Sequence, residues 1–586
     1  MITHLTSSLR RRPVDGAGGG RTLDCVVIGY NDVPFESYES LLRNYGEDSE
    51  AYRDLKFSFV EIGERKMDYV GLLNYVHEVA DRRQDSRAET SHFDSGAIPN
   101  LAAVYLTSFL RRQNYDARYI NLFQNEKETL AAWLKEGPLC VAITTTFYVL
   151  NFPVIEMVEF IRRHNPATKI VVGGPLIANH LRNSEGDSLR AALEDIGADV
   201  YVADSQGELS LSEIVRCLRE GGSLADVPNL IWIEDGQVRS SAEVRENNSL
   251  DENYIDWMIF PDKELGETIQ TRTARSCAFN CSFCNYPARA GKLTLASIDT
   301  MERELDSMRE LGNVRNVVFI DDTFNVPLPR FKDLCRMMIR RQYDFNWFSY
   351  FRCSNSDEEA IELLAQSGCK GVFLGIESGS PTILKNMNKA ATVELYAKGI
   401  ELLHNYGVLT FGSFILGFPG ETSETVQETI DFIRATKPSY YRAQMWYCEP
   451  GTPVDRQREK YSIEGQGFVW SHATMVSLEA MDHIDRMFLS IHESQWLPQW
   501  SFDFWIIPYL LGKGITSQQF RGFMIEANRL LRLGIASVPE HQKRLIQQEC
   551  LERLVQGVSS WPKSGTSGPQ AIPPAKGFEP PALPAL

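Results

Sequence analysis

No run of eighteen apolar residues occurs in this chain, so no helix within it is expected to span a bilayer. The arginines of the opening stretch MITHLTSSLRRRPVDGAGGG have no apolar segment behind them, which is unlike an export signal. Together these absences make the cytoplasm the expected location. Basic charge is also short, with 60 Lys and Arg against 77 Asp and Glu and a formal charge of −17. A nucleic-acid partner, which calls for a basic face, is disfavoured, and a small-molecule or peptide substrate is favoured. No repeat-protein period is present. Cysteine is sparse, eleven in 586 residues. Eight of these, Cys25, Cys140, Cys217, Cys335, Cys353, Cys369, Cys448 and Cys550, stand alone in apolar surroundings, and in a reducing compartment they read as buried thiols rather than disulfides. The other three fall within eight positions.

What is present divides the chain, which is too long for one core. Residues 1–20 and 557–586 are rich in Gly, Ser and Pro with little to bury and are expected to be disordered tails. Across 21–240, β-type runs such as DCVVIGY, LCVAITTT, KIVVGGP and DVYVAD alternate with helical ones, the pattern of a doubly wound, Rossmann-like parallel sheet. Residues 36–97 interrupt it after the first strand, long for a connection. An acidic, polar linker, 241–270, leads to a second alternating series over 271–453, with NVVFIDD, FNWFSYF, GVFLGIE and LTFGSFILGF as strands. Such units build a full or partial parallel barrel whose reactive groups gather at the C-terminal strand ends. Residues 454–556 read as a mainly helical C-terminal domain suited to enclosing a substrate. The expected fold class is α/β, a Rossmann-like domain followed by a partial (β/α)6 TIM-type barrel and the helical domain.

The three clustered cysteines, Cys277, Cys281 and Cys284, form RSCAFNCSFCNYPARAG, C-x3-C-x2-C on a loop that Asn280, Asn285 and Pro287 keep out of a helix. Structural zinc wants a fourth Cys or His at similar range, and the nearest histidines, His180 and His404, lie about a hundred residues away on either side. A cubane iron–sulfur cluster held by three thiolates keeps one iron open. The loop, with Phe283 before the third cysteine, resembles that of the radical S-adenosylmethionine (SAM) enzymes, and the resemblance extends over about 271–453. It implies a 4Fe–4S cluster on the three cysteines, SAM on the open iron, Phe283 beside the adenine, and an external electron donor of flavodoxin or ferredoxin type. It further implies SAM contacts from Asp321 and Asp322 of FIDDTF, Arg352 of FRCS, Glu377 and Ser380 of GIESGS, and Gly412, Gly417 and Glu421 of GSFILGFPGE. The residue types suit such contacts, with an arginine for a carboxylate, acids for ribose hydroxyls and glycines for close backbone approach. The Gly-Gly-Glu common after an early strand is absent, and DDTF stands at about its place.

That departure points to the branch with an N-terminal cobalamin domain, which residues 24–235 resemble. No G-x-G-x-x-G follows the first strand, which speaks against a dinucleotide fold. The resemblance implies cobalamin contacts from Tyr30 and Asn31 after strand one, Thr144, Thr145 and Thr146, and Gly173 and Gly174. The Asp-x-His-x-x-Gly that supplies a lower axial ligand in many such domains is replaced by GYNDVPF, so the cobalt is expected to lack a histidine. Arg65, within the insertion, is the candidate to face the cobalt from below. Trp470 and His472, with Phe468, are the candidates to reach the substrate, and Glu267, shortly before the cysteine loop, is a candidate to cap the open iron. The class resembled is the cobalamin-dependent (class B) radical SAM methyltransferases, including C- and P-methylases of antibiotic biosynthesis. It implies methyl transfer from SAM through methylcobalamin to a carbon or phosphorus of a natural-product precursor, whose identity the sequence leaves open, with the radical route favoured over the polar one. The alternative is a radical rearrangement or oxidative cyclisation without methyl transfer. A tRNA methylthiotransferase is disfavoured by the acidic charge and the lack of a second cysteine triad, and a non-catalytic cobalamin sensor would leave the cysteine loop unexplained.

Overall fold

The computed structural model describes residues 23–83, 92–146, 148, 150–260, 265–500 and 504–562. The expected N-terminal tail lies outside the described residues. Among the described residues no helix is long and apolar enough to cross a membrane.

Two parallel sheets organise the chain. The first runs Ala117–Leu122, Cys25–Tyr30, Cys140–Thr144, Lys169–Gly173, Val200–Val202, all parallel, and ends in the antiparallel pair Leu230–Glu234 and Gln237–Ser240. Alternate residues of its first strand serve opposite layers, Val26 and Ile28 in one apolar cluster and Cys25 and Val27 in another. This is why the strands read as continuous apolar runs. The order reverses between Cys25–Tyr30 and Cys140–Thr144, which leaves a crevice at the C-terminal strand ends.

The second sheet places Thr268–Thr271, Asn316–Phe319, Asn346–Phe351, Cys369–Glu377, Leu409–Leu416 and Tyr440–Met445 side by side in chain order and parallel, with helices in the connections. A seventh strand, Gln495–Trp496, pairs parallel with Tyr440–Tyr441. Two residues are too few to carry a strand period, so this strand was not legible. The first barrel strand begins inside the expected linker. The rest of that linker is no free tether, since Glu246 and Asn248 are buried and Glu246 accepts the backbone N–H groups of Leu209 and Ser210 at the start of the helix Glu208–Glu220.

The C-terminal part departs from expectation in three ways. After the short helix Arg458–Tyr461 it forms a three-stranded antiparallel sheet, Glu464–Gln466, Val469–His472 and Met475–Val476, ahead of its longer helices. The segment from Phe504 and the helix Ile506–Gly512 then reach the barrel at the N-terminal ends of its strands, where the Pro508 carbonyl accepts Thr268 Oγ1 at 3.2 Å and Asn316 Nδ2 at 2.7 Å. This part therefore closes the end of the barrel opposite the cysteine loop. Finally, order continues past 557: the helix Glu540–Val558 is followed by a buried Trp561, packed edge-on against His77, Phe93 and Phe523. One indole with aromatic partners outweighs a Gly- and Ser-rich composition.

The insertion folds as helices Phe35–Arg43 and Glu50–Lys56, the hairpin Phe59–Ile62 with Arg65–Asp68, and helix Tyr69–Arg83. Its partners are in the C-terminal helices. Tyr69 donates to Asn528 Oδ1 at 2.8 Å, Gln547 donates to the Glu61 carbonyl at 2.7 Å, and Arg53 pairs with Asp482 and Asp485. We expect Trp561→Ala to lower stability in denaturant unfolding by about 3 kcal/mol, as for a buried indole, and a change within measurement error would return this segment to the status of a tail.

Candidate functional site

The cysteine loop leaves the first barrel strand at its C-terminal end. Ser276 takes φ +75 immediately before Cys277. Neighbouring strand-end segments then hold the loop. Asp321, buried after the second strand, accepts the backbone N–H groups of Thr273, at 2.8 Å, and Ala274. Ser282 N donates to the Met387 carbonyl at 2.9 Å and its hydroxyl to the Asn386 carbonyl at 2.6 Å. Asn388 donates to the Asn280 carbonyl at 2.7 Å, and Val454 N to the Ser282 carbonyl at 2.9 Å. Cys277 and Cys284 are half-buried and Cys281 is buried. Burial pushes the Cys284 thiol up to about 11, the Tyr286 N–H opposing it, and Cys281, Asp322 and Cys277 add to the rise. The thiols therefore share one electrostatic neighbourhood.

Around them stand the ends of the third and fourth strands. Arg352 is buried, its guanidinium 3.7 Å from the centre of the Phe279 ring, while Nη2 has no hydrogen-bond partner. Ser354 Oγ and Ser380 Oγ are likewise buried without partners. Glu377 sits at φ +70 and pairs through Oε1 with Lys389 Nζ at 3.2 Å. Burial opposes the Lys389 charge, but Glu377 outweighs it and holds the ammonium above its ordinary value. That ammonium lies 5.7 Å from the Phe283 ring, which meets Phe418 edge-on. Asp322 is accessible yet surrounded by protein atoms, with Tyr286 and Cys284 beside it, and this setting raises its carboxyl to about 6, chiefly by desolvation. Below the loop, Tyr350, Phe373 and Phe411 turn rings toward Phe504 and Trp505, with centroid separations of 4.8 Å for Tyr350–Phe373 and for Phe373–Phe411 and 5.5 Å for Tyr350–Trp505.

At the first sheet, Thr145 Oγ1 donates to the Gly173 carbonyl at 2.9 Å and accepts Leu176 N at 3.3 Å. Gly174 takes φ +111, and a Cβ there would stand 2.8 Å from Thr145 Oγ1, so only glycine fits this turn. Thr144 donates to the Gly29 carbonyl. Thr146 is exposed at the strand end, and Tyr30, half-buried, brings its hydroxyl near Gly96. Asn31 is buried and committed: its side chain donates to the Pro153 carbonyl and Glu156, both at 2.9 Å, and accepts Gln124 at 2.8 Å.

Two family models match the chain, the B12 binding domain over residues 95–208 and the radical SAM superfamily over 271–433. The chain is a cobalamin-dependent radical SAM enzyme. Its curated relatives include an uncharacterized methyltransferase of Pyrococcus horikoshii, 28% identical over 60% of this chain and 77% of that protein. Another is an anaerobic magnesium-protoporphyrin IX monomethyl ester cyclase of Rubrivivax gelatinosus, 24% identical over 67% and 73%. The radical SAM methyltransferase structure from Kitasatospora setae with cobalamin and a [4Fe–4S] cluster bound covers 79% of this chain and 97% of its own, at 18% identity and TM-score 0.55, a likeness of fold. The cofactors are accordingly a 4Fe–4S cluster, SAM and cobalamin, and the residues present fit them. Three thiols share one loop, orphaned polar atoms of Arg352, Ser354 and Ser380 lie beside it, and at the first sheet the exposed Thr146 and the turn at Gly173 and Gly174, which carries no side chain, stand at the C-terminal strand ends.

Several residue assignments change with the geometry. Glu267 pairs with Lys513 at 2.8 Å before the first barrel strand, at the end of the barrel away from the cysteines, so it does not cap an iron. Arg65 is exposed at the tip of its hairpin, while the hairpin's base, at Asp68, is the part that approaches Asp32 after strand one. The charges there are acidic, and burial, reinforced by Asp68 and Asp94, raises Asp32 to about 7. Trp470 and His472 are buried with their polar atoms spent: the indole donates to the Trp446 carbonyl at 2.7 Å, and His472 Nε2 bonds the Gly417 carbonyl at 3.0 Å while Nδ1 meets Thr474. Gly417, at φ +82, is glycine because a Cβ would stand 2.5 Å from the Trp470 ring. Gly412 likewise makes room for Phe414, and Glu421, raised to about 8 by burial, accepts the Gly417 N–H. These residues shape the turn after the fifth strand. Phe279, Ser354 and Lys389 escaped the sequence reading. Phe279 had one available signal, its place inside the cysteine loop, whereas its partner Arg352 lies 73 residues on.

If Arg352 Nη2 awaits the SAM carboxylate, Arg352→Met weakens SAM binding to the cluster-loaded protein by about tenfold or more, as expected when one partner of a buried charge pair is lost, and leaves cobalamin binding unchanged. Equal SAM affinity in equilibrium dialysis would remove Arg352 from the site.

Proposed function

We propose that this enzyme is a methyltransferase that moves the methyl group of SAM, by way of cobalamin, to a carbon or phosphorus of a small-molecule or peptide precursor of antibiotic type. The observation that carries this reading is that the strand-end loops of the cobalamin-type sheet bond directly to the base of the cysteine loop, Gln206 and Glu208 meeting Arg275 at 2.6 Å and 3.2 Å. That contact supports a methyl carrier and a SAM-binding cluster serving one site. The relatives named as methyltransferases support it.

When bound, cobalamin supplies a methyl carrier, and the cluster supplies reductive cleavage of SAM, whose electron we assign to an external flavodoxin- or ferredoxin-type donor. The chain's own residues do the rest. Cys277, Cys281 and Cys284 hold three irons. Arg352, with Ser354 and Ser380, binds the polar end of SAM, Phe283 packs beside its adenine, and Asp322 meets its hydroxyls. Asp321 acts at one remove, by fixing the loop backbone. Thr146, Tyr30 and the backbone of Gly173 and Gly174 seat the corrin, and Thr144, Thr145 and Asn31 hold that seat in shape. The half-buried faces of Tyr350, Phe373 and Trp505 receive the acceptor and exclude water from it. The stretch GYNDVPF holds no histidine, and with Asp32 and Asp68 near that strand end it would offer a bound cobalamin carboxylates rather than an imidazole. The radical route accords with the position of Glu267, which leaves the open iron to SAM. The cyclase among the relatives keeps a second reading, radical oxidation without methyl transfer.

The test needs no acceptor. Anaerobically reconstituted protein given cob(I)alamin and methyl-labelled SAM forms labelled methylcobalamin with one S-adenosylhomocysteine each. Under a one-electron reductant it also releases 5′-deoxyadenosine, which the Cys277, Cys281, Cys284 triple Ala variant does not. Cleavage of SAM with no label on cobalamin would favour the cyclase-type reading.

A further inference from the structure

A buried polar cluster outside the cofactor contacts lies where the two sheets meet. Arg275, two residues before Cys277, is buried. Its Nη1 donates to Gln206 Oε1 at 2.6 Å and to the Asn248 carbonyl at 2.9 Å, and its Nη2 donates to Glu208 Oε1 at 3.2 Å. Glu208, buried in turn, accepts Asn248 Nδ2 at 2.9 Å through its other oxygen. Gln206 belongs to the loop after the strand Val200–Val202, and its N–H donates to Asp204 Oδ1 at 2.8 Å. That loop adjoins the cobalamin seat, because Val202 packs on Gly173, whose added Cβ would stand 3.2 Å from Val202 Cβ. On the other side, Ser276 donates its hydroxyl to the Gly291 carbonyl at 2.6 Å and fixes the turn into Cys277. A continuous route of bonds and packing therefore joins the cobalamin seat to the first cluster ligand through one guanidinium.

We propose that Arg275 is a positioning residue that couples the two cofactor sites, so that seating cobalamin sets the cysteine loop and a formed cluster tightens the cobalamin seat. This rests on the cofactor assignment above. A buried ion pair is weak evidence for stability, since removing its charges from water offsets much of their attraction; what it supplies is a defined register. The planar fork of arginine fixes orientation as well as distance, which a lysine ammonium does not. Arg272, 4.3 Å from the centre of the Tyr105 ring and 3.8 Å from Glu208, anchors the same junction without lying on the route to the cysteines.

The experiment measures linkage rather than turnover. Hydroxocobalamin affinity is determined by fluorescence quenching for the full-length protein with the cluster reconstituted and for the same protein with the cluster removed by chelation. In the unaltered chain the two affinities differ by about fivefold or more, a typical coupling between sites. In Arg275→Met the ratio falls to about one, Arg275→Lys recovers only part of it, and Glu208→Gln gives an intermediate value. Melting curves confirm that each variant is folded, and Arg272→Met serves as the junction control that keeps the ratio. The proposal is overturned if the unaltered chain shows no difference, or if Arg275→Met weakens both affinities equally, as mere adhesion between the domains would. Failure to bind cobalamin in either state would overturn the cofactor reading itself.

Discussion

Three thiols on a loop with little regular structure must be held in one arrangement, and much of the barrel's strand-end architecture is arranged around that need. Ten residues separate Arg275 from Cys284 when both are counted, and only one short helix follows them, so the loop cannot hold itself. Its backbone is instead bonded to Met387, Asn388 and Val454, its Ser282 hydroxyl to Asn386, and the residues that lead into it to Asp321, partners that come from three separate strand-end segments. Backbone groups left unpaired in a buried loop are costly, and these partners satisfy them.

The rest of the chain closes the space beneath and beside that loop. Phe504 and the helix Ile506–Gly512 fill the barrel's N-terminal end, and the three-stranded sheet with Trp470 and His472 buttresses the turn at Gly417. The insertion after strand one bridges back to the C-terminal helices, so the first and last parts of the described chain meet on the side of the barrel. The interior keeps partly open aromatic faces below the cysteines, and the cobalamin-type sheet is attached through Arg275 at the loop's base. Half-buried aromatic faces beside a cysteine loop suit chemistry in which reactive carbon species must be kept from water.

The parallel sheets and the cysteine loop were legible in the sequence because each leaves a local signature: apolar runs of strand length followed by helical periods, and a three-cysteine spacing. Residues whose function depends on a distant partner were not. Trp470 and His472 carry the residue types of a substrate contact, yet the fold spends both on the turn at Gly417. Glu267 is near the cysteines in sequence and at the other end of a strand in space, since a strand carries its two ends apart. Arg65 failed for a related reason, as the hairpin that bears it turns its tip outward. Arg275 lies within the cysteine motif, but its partners Gln206, Glu208 and Asn248 stand 27 to 69 residues earlier, beyond any local pattern.

The central claim is that the cobalamin seat and the cluster loop are adjoining parts of one site. The most direct measurement is electron paramagnetic resonance of the protein carrying both cob(II)alamin and the reduced cluster. The account predicts that the cobalt signal is broadened or split by magnetic interaction when the cluster is reduced, and that it returns to its isolated form in the Cys277, Cys281, Cys284 triple Ala variant. Two independent, superimposed spectra would contradict it.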